Sequence, residues 1–198
     1  MAITNGYCTL NEIKERLSWP SGRDDSQDTT LERSIEASSR WIDGYCGRRF
    51  YADTDNATRY YTAVDTRTLF LADDVVSIGT LATDGDGDRT YEDTWSATDY
   101  DLQPLNAAAD GEPYTSIAVT PQGNYSFSTQ PKGVEIYGKF GLACPADVKE
   151  ACLMQALRIY KRKDAPFGVL GTTELGKLQT MAKIDVDVKV LLAPWRKL

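Results

Sequence analysis

Three groups of carboxylates are the first candidates for chemistry in this sequence. Asp84, Asp86 and Asp88 in "DGDGDRTYEDTW" alternate like the first half of a calcium loop. An EF-hand needs Gly where Arg89 stands, Glu where Trp95 stands, and a helix on either side. None of these is met, so the stretch reads as the tip of a β-hairpin. Asp73-Asp74 and the Asp93, Asp99, Asp101 group could be taken for the acid/base pair of a glycosidase. Neighbouring residues on a strand point to opposite faces, so Asp73 and Asp74 cannot cooperate there and read as a solvated turn.

Other chemistries are excluded by what is missing. The chain has no histidine, which removes the usual neutral-pH proton shuttle, every His-containing triad and every His-based zinc site. Cys8, Cys46, Cys144 and Cys152 form no Cys-x-x-Cys pair and read as reduced, mostly buried thiols. Trp19, Trp41, Trp95 and Trp195 could suggest a sugar platform. Trp41, however, has core spacing on a strong helix, and Trp195, after Pro194, is either a docking contact or part of a disordered end. No catalytic residue, cofactor or metal is expected.

The elements that would position these groups fall into a helix, sheet, helix order. In "TLNEIKERL", Thr9 stands three residues before Glu12, a capping-box spacing, and Leu10, Ile13 and Leu17 share a face. Pro20 and Gly22 should stop that helix. The next helix begins near Asp28 to Thr30 and runs to Tyr45, with Leu31, Ile35, Ser38, Trp41 or Ile42, and Tyr45 at a 3.6-residue spacing. Gly47 suits the left-handed position after its last turn. From Phe50 to about Phe140 the period moves toward two. Eight short segments, "TRYYTAV", "TLFL", "VVSIGTLAT", "RTYEDTW", "DYDLQP", "YTSIAVTP", "NYSFST" and "KGVEIYGKFG", read as antiparallel strands. Helix returns at "CPADVKEACLMQALRIYKRKDAP", where Val148, Cys152 and Leu157 belong to a broad apolar stripe and Pro166 ends the run. A last short helix spans about Val186 to Leu192. The expected core is Leu31, Ile35, Trp41, Ile42, Tyr45, Val148, Cys152 and Leu157.

The expected fold class is therefore α+β: an α-helical core, its N- and C-terminal helices packed together, interrupted by an antiparallel β insertion. Residues 1–49 and 141–198 would form the core and residues 50–140 the inserted domain. The 198 residues suffice to bury a core without disulfides or metal. No run approaches the roughly 18 apolar residues of a membrane span, and "MAITNGYCTL" has no basic or apolar leader character, so synthesis without export is expected. The net charge of −7 argues against wrapping nucleic acid, although it allows a local basic patch. Two basic groups exist: Arg48-Arg49 after the second helix, and Arg158, Lys161, Arg162 and Lys163 late in the long one. Cations at a helix C-terminus favour the dipole; they could equally face an acidic neighbour or phosphates. A molecule with both signs can assemble head to tail.

The segments "TLNEIKERL", "LERSIEASSRWIDGYCGRRFY", "TRYYT", "VKEACLMQALRIYKRKDAPFGVLG" and "VDVKVLLAPWRKL", in that order, resemble the head–tail connector (head-completion adaptor) family of long-tailed bacteriophages, prophages and gene-transfer particles. The likeness covers both helical ends and the first strand, matches the sheet region mainly by position, and departs at Ala37-Ser38-Ser39. It implies a non-enzymatic subunit of a ring, a dodecamer of neighbouring copies, docked on the portal protein at the virion neck after assembly in the host cytoplasm. Such a ring extends the channel through which genomic DNA passes without specific binding, and offers a platform to the next neck or tail protein. No membrane is involved. The C-terminal segment, about Gly171 to Leu198, would reach the portal. The subunit or portal interface would use Arg48, Arg49, Arg158, Arg162, Phe167, Trp195, Arg196 and Lys197. The alternatives are a carbohydrate-binding or hydrolytic β module, drawing on Trp95 and the Tyr and Asp content of residues 50–140, or another neck component such as a stopper or tail-completion protein.

Overall fold

Thr9 opens the first helix as its spacing to Glu12 predicts. In the computed structural model its side chain accepts the Glu12 N–H, and the Glu12 carboxylate takes the Thr9 N–H at 2.8 Å. The structure describes residues 3–18, 25–163, 169–172, 178–180 and 185–197; Trp19, Pro20, Gly22, Pro166 and Phe167 lie outside the described residues. Helices and an antiparallel sheet make the fold α+β. The chain divides into two compact units, residues 1–50 with 144–198, and residues 51–143. No helix among the described residues is long and apolar enough to cross a membrane.

The first unit holds α1 (Leu10–Arg16), α2 (Asp28–Cys46), and, after the second unit, α4 (Ala146–Lys161) and α5 (Val186–Leu192), with the strands β7 (Val169–Thr172) and β8 (Leu178–Thr180) paired with each other. α2 packs on α4 and α4 on α5. The inward face of α2 carries Leu31, Ser34, Ile35, Ser38, Ser39, Ile42 and Cys46, and α4 meets it with Val148, Ala151, Cys152 and Ala156. Large apolar side chains, Leu31, Ile35, Ile42 and Val148, are interspersed there with small ones, Ser34, Ser38, Ser39, Ala151, Cys152 and Ala156. The serines can be buried because each hydroxyl donates to the carbonyl four residues earlier: Ser34 to Thr30, Ser38 to Ser34, Ser39 to Ile35, all at 2.8–2.9 Å. Ion pairs at the rim tie α1 to both neighbours, through Lys14 to Asp28, Arg16 to Glu150, and Lys149 to Glu12.

Leu31, Ile35, Ile42, Val148 and Cys152 are fully buried, whereas Trp41, Tyr45 and Leu157 are not. One residue turns an α-helix by about 100°, so with Ile42 pointing inward Trp41 falls on the flank. There it stacks on Tyr45 at 5.2 Å, one turn on. Leu157 is displaced in the same way from the buried pair Ala156 and Tyr160.

The second unit is a sheet ordered β1 (Ala57–Tyr61), β6 (Val134–Phe140), β2 (Thr68–Thr83), β5 (Tyr114–Val119), β4 (Tyr100–Gln103), with β3 (Asp93–Thr94) paired to β2 alone; α3 (Ala107–Asp110) is one short turn between β4 and β5. Fewer strands form than the eight segments predicted. "TLFL" and "VVSIGTLAT" are one strand, because Asp73 and Asp74 lie within β2 rather than in a solvated turn. Arg59 pairs with Asp73 at 2.6 Å, the Tyr61 hydroxyl donates to Asp73 at 2.9 Å, and Asp74 is 4% exposed. The pairing register shifts between Phe70 and Val75, and that irregularity accommodates the two carboxylates. "RTYEDTW" pairs only at Asp93–Thr94, and "NYSFST" joins no strand pair. Gly138 marks a close approach of β6 to β2: a Cβ there would lie 2.3 Å from the Ser77 carbonyl oxygen.

Ile35→Ala should destabilise the protein by about 2–5 kcal/mol, as a fully buried truncation does. Trp41→Ala should cost less, since that ring is only partly buried: about 0.5–1.5 kcal/mol for the ring pair and a further loss for the apolar area it covers. Urea unfolding of the two variants beside the parent measures the difference.

Candidate interface surface at the end of the second helix

Gly47 ends α2 in the left-handed conformation, φ 66° and ψ 22°, and its N–H closes on the Asp43 carbonyl at 2.9 Å. The chain therefore turns sharply, and Arg48, Arg49 and Phe50 are held beside the last turn. Tyr7 fastens that turn. Its backbone N–H donates to the Ser39 hydroxyl at 3.1 Å, its own hydroxyl donates to the Asp43 carboxylate, and the same oxygen accepts the Phe50 N–H at 2.8 Å. The Tyr7 ring meets Phe50 edge-on at 5.7 Å.

Burial and the neighbouring Asp43 charge push the Tyr7 phenol well above its usual range. Burial also raises the Asp43 carboxyl, while the Tyr7 hydroxyl and the Arg40 and Arg49 charges pull it back. Burial likewise pushes the Cys46 thiol up to about 11 and the Cys144 thiol up to about 12. The Sγ atoms of Cys8 and Cys152 lie 3.6 Å apart, and that contact, with burial behind it, pushes the Cys8 thiol well above its usual range. The Cys152 thiol is drawn down instead, by the Cys8 contact and the Ser39 hydroxyl working against its burial.

The C-terminal residues close over the same turn. The Lys197 N–H donates to the Cys46 carbonyl at 2.8 Å, satisfying a carbonyl at the helix end. Trp195 meets Phe50 edge-on at 6.1 Å, and the Arg196 guanidinium lies 5.0 Å from the Tyr45 ring centre. Trp195 is thus a docking contact, and its partner is this chain's own junction. Arg158 is drawn in as well: its side chain is 11% exposed and reaches Asp185, the N-cap of α5, at 3.5 Å. Arg48 and Arg49 are half-buried, and Arg162 is exposed at the end of α4. The structure so gathers Arg48, Arg49, Trp195, Arg196 and Lys197 at one end of α2. Arg158 is committed to α5, and Phe167 lies outside the described residues. Sequence reasoning offered Asp43, with Glu32 and Glu36, to a neighbouring subunit and missed Tyr7, since a phenol and a carboxylate 36 residues apart give no local signal.

The remaining candidates are structural. Asp84, Asp86 and Asp88 stand together in the loop between β2 and β3, and Asp84 accepts the Gly87 and Arg89 N–H groups at 2.6 and 2.9 Å. Trp95 is 5% exposed, packs on Phe127 and donates through its indole N–H to Thr83 at 3.0 Å. It offers no platform to a sugar.

No family model matches the sequence, and no curated protein matches it. The fold, in contrast, is shared along the whole chain with solved structures. It matches a chain in the neck of an empty gene transfer agent particle computed with C6 symmetry (TM-score 0.58, 16% identity) and one in the neck of the native particle computed with C12 symmetry (TM-score 0.57, 17% identity). A third match lies in the virion of the native gene transfer agent particle (TM-score 0.51, 17% identity). In each case the likeness covers 100% of this chain and 93% of the other.

Two results are expected from this junction. Tyr7→Phe should lose about 1–3 kcal/mol, because the Phe50 N–H and the Asp43 carboxylate both lose a buried partner. Asp43 is ion-paired with Arg40 at 3.2 Å, yet its burial outweighs that pairing. Its folded value is raised, so its contribution is present below the ordinary carboxylate range and lost as pH rises through the folded value. Asp43→Asn removes that dependence, so its stability relative to the parent should improve with rising pH in urea titrations. Trp195→Ala should cost about 0.5–1.5 kcal/mol for the lost ring contact, read as a lower thermal midpoint.

Proposed function

We propose that this protein is a non-enzymatic structural subunit of a phage or gene-transfer-particle neck. The observation that carries this is the whole-chain fold likeness to chains in gene transfer agent necks computed with sixfold and twelvefold symmetry. Within that reading the helical unit is the connector core and residues 50–140 are an insertion into it. Copies form a ring, a dodecamer, that docks on the portal protein, extends the DNA channel and carries the next neck or tail protein. Its place is the virion neck, reached after assembly in the host cytoplasm.

The surface chemistry supports a ring. The end of α2 presents Arg48, Arg49 and Arg196, while the chain as a whole carries −7, so a positive face can meet a neighbour's negative one. Repetition around a closed axis lets many modest contacts act together. The same negative charge lets DNA pass a lumen without sticking. The C-terminal segment, about Gly171 to Leu198, is the part that would reach the portal.

Electron microscopy of the protein with its portal should show a symmetric layer of this chain beneath the portal ring. Arg162→Glu, at an exposed position at the end of α4, should melt like the parent and lower the occupancy of that layer. A bare portal in the presence of folded protein would refute the reading.

A further inference from the structure

Cys8 and Cys152 are 144 residues apart in the chain, yet their Sγ atoms touch at 3.6 Å, where the segment before α1 meets α4. Both are buried, and the Ser39 hydroxyl of α2 reaches the Cys152 sulfur from the other side at 3.5 Å. An S–S bond is about 2.05 Å long, so joining the two requires the sulfurs to close by roughly 1.5 Å. Cys152 is fixed in the middle of α4, whereas Cys8 lies outside any regular element and keeps its rotation about Cα–Cβ. The closure falls to Cys8. Cys144 is also near the pair, but its thiol turns to the Pro145 carbonyl at 3.6 Å.

We infer that Cys8 and Cys152 are a latent disulfide, joined by peroxide once the protein leaves the reducing interior of a cell. That change of compartment rests on the neck reading above; the chemistry rests on this chain alone. Of the two thiols Cys152 is the better nucleophile, because the Cys8 contact and the Ser39 hydroxyl draw it down while Cys8 is pushed up.

The segment over the pair is held on α2 by hydrogen bonds rather than by regular pairing. Thr4 donates its N–H to Glu36, Tyr7 donates its N–H to Ser39, and Arg40 donates to the Asn5 carbonyl. Such a segment loosens at less cost than packed helices, and peroxide is little larger than water. The Cys152 thiolate attacks one peroxide oxygen and the O–O bond breaks. The departing hydroxide takes up the proton the thiol released, leaving a sulfenic acid and one water. Cys8 then attacks the Cys152 sulfur, and its proton leaves with the hydroxyl as a second water. Two thiols are oxidised and one peroxide is reduced. The link pins the segment that carries Tyr7 to α4, so the basic end of α2, which Tyr7 fastens through Asp43 and Phe50, is held more firmly.

Treating the purified, reduced chain with hydrogen peroxide and mapping its peptides without reductant tests this. A Cys8–Cys152 peptide pair is expected, with a thermal midpoint raised by roughly 5–15 °C, as closing so long a loop implies, and restored by dithiothreitol. Cys144→Ser should still form the link. Cys8→Ser should stop at a sulfenic acid that a cyclic diketone traps on Cys152; if that variant does not fold, the map of the parent decides. Peroxide that joins Cys144 to either partner, joins two copies, or leaves Cys8 and Cys152 as free thiols overturns the inference. Released particles, alkylated before lysis, should carry the link. Particles that hold this chain with both thiols free refute the inference and leave the neck reading standing. Particles without this chain refute the neck reading, and the map of the purified chain still decides the cross-link.

Discussion

The helical unit depends on the close packing of α2 against α4. These helices are about a hundred residues apart in the chain, and their buried faces mix large side chains, Leu31, Ile35, Ile42 and Val148, with small ones, Ser38 and Ser39 on one side and Ala151, Cys152 and Ala156 on the other. Small residues let two backbones approach, yet serine brings a hydroxyl that cannot be buried unsatisfied. The helix resolves this locally, each hydroxyl bonding the carbonyl one turn back, so the packed face is apolar in effect. Everything at the end of α2, from the Gly47 turn to the docked C-terminal residues, inherits its position from that contact.

Much of the helical unit was legible because its signals are local. The Thr9–Glu12 box and the Gly47 stop each depend on a few neighbouring residues, and both appear as written in the chain. Burial was less legible. Periodicity places Leu31, Ile35 and Ile42 on one face but cannot tell whether Trp41 or Ile42 leads it, and a large ring at the margin of a stripe reads as core. In the sheet, local signals misled where long-range pairing prevailed. Asp73-Asp74 resembles a turn until Arg59 and Tyr61 on another strand supply the partners that allow it inside β2. "NYSFST" has the composition of a strand but joins no strand pair, its Phe127 N–H bonding the Thr66 carbonyl instead. The interface residues were only partly legible, because charge can be counted in a sequence whereas Arg158's partner, Asp185, is set by the folding of α5 onto α4.

The fold likeness at 16–17% identity, with no family model matching, has a physical reading. A helix contact, a left-handed stop and an alternating sheet can be specified by many residue combinations, so shape can persist while identities drift.

The buried thiols have a consequence of their own. Cys8 and Cys46 are shielded, and Cys152 sits at the helix contact itself, with no exposed surface. A thiol-reactive dye can reach them only when the helices part, so the rate of their modification reads the frequency of that opening. The molecule carries a clock for its own breathing, placed where the two halves of the chain meet.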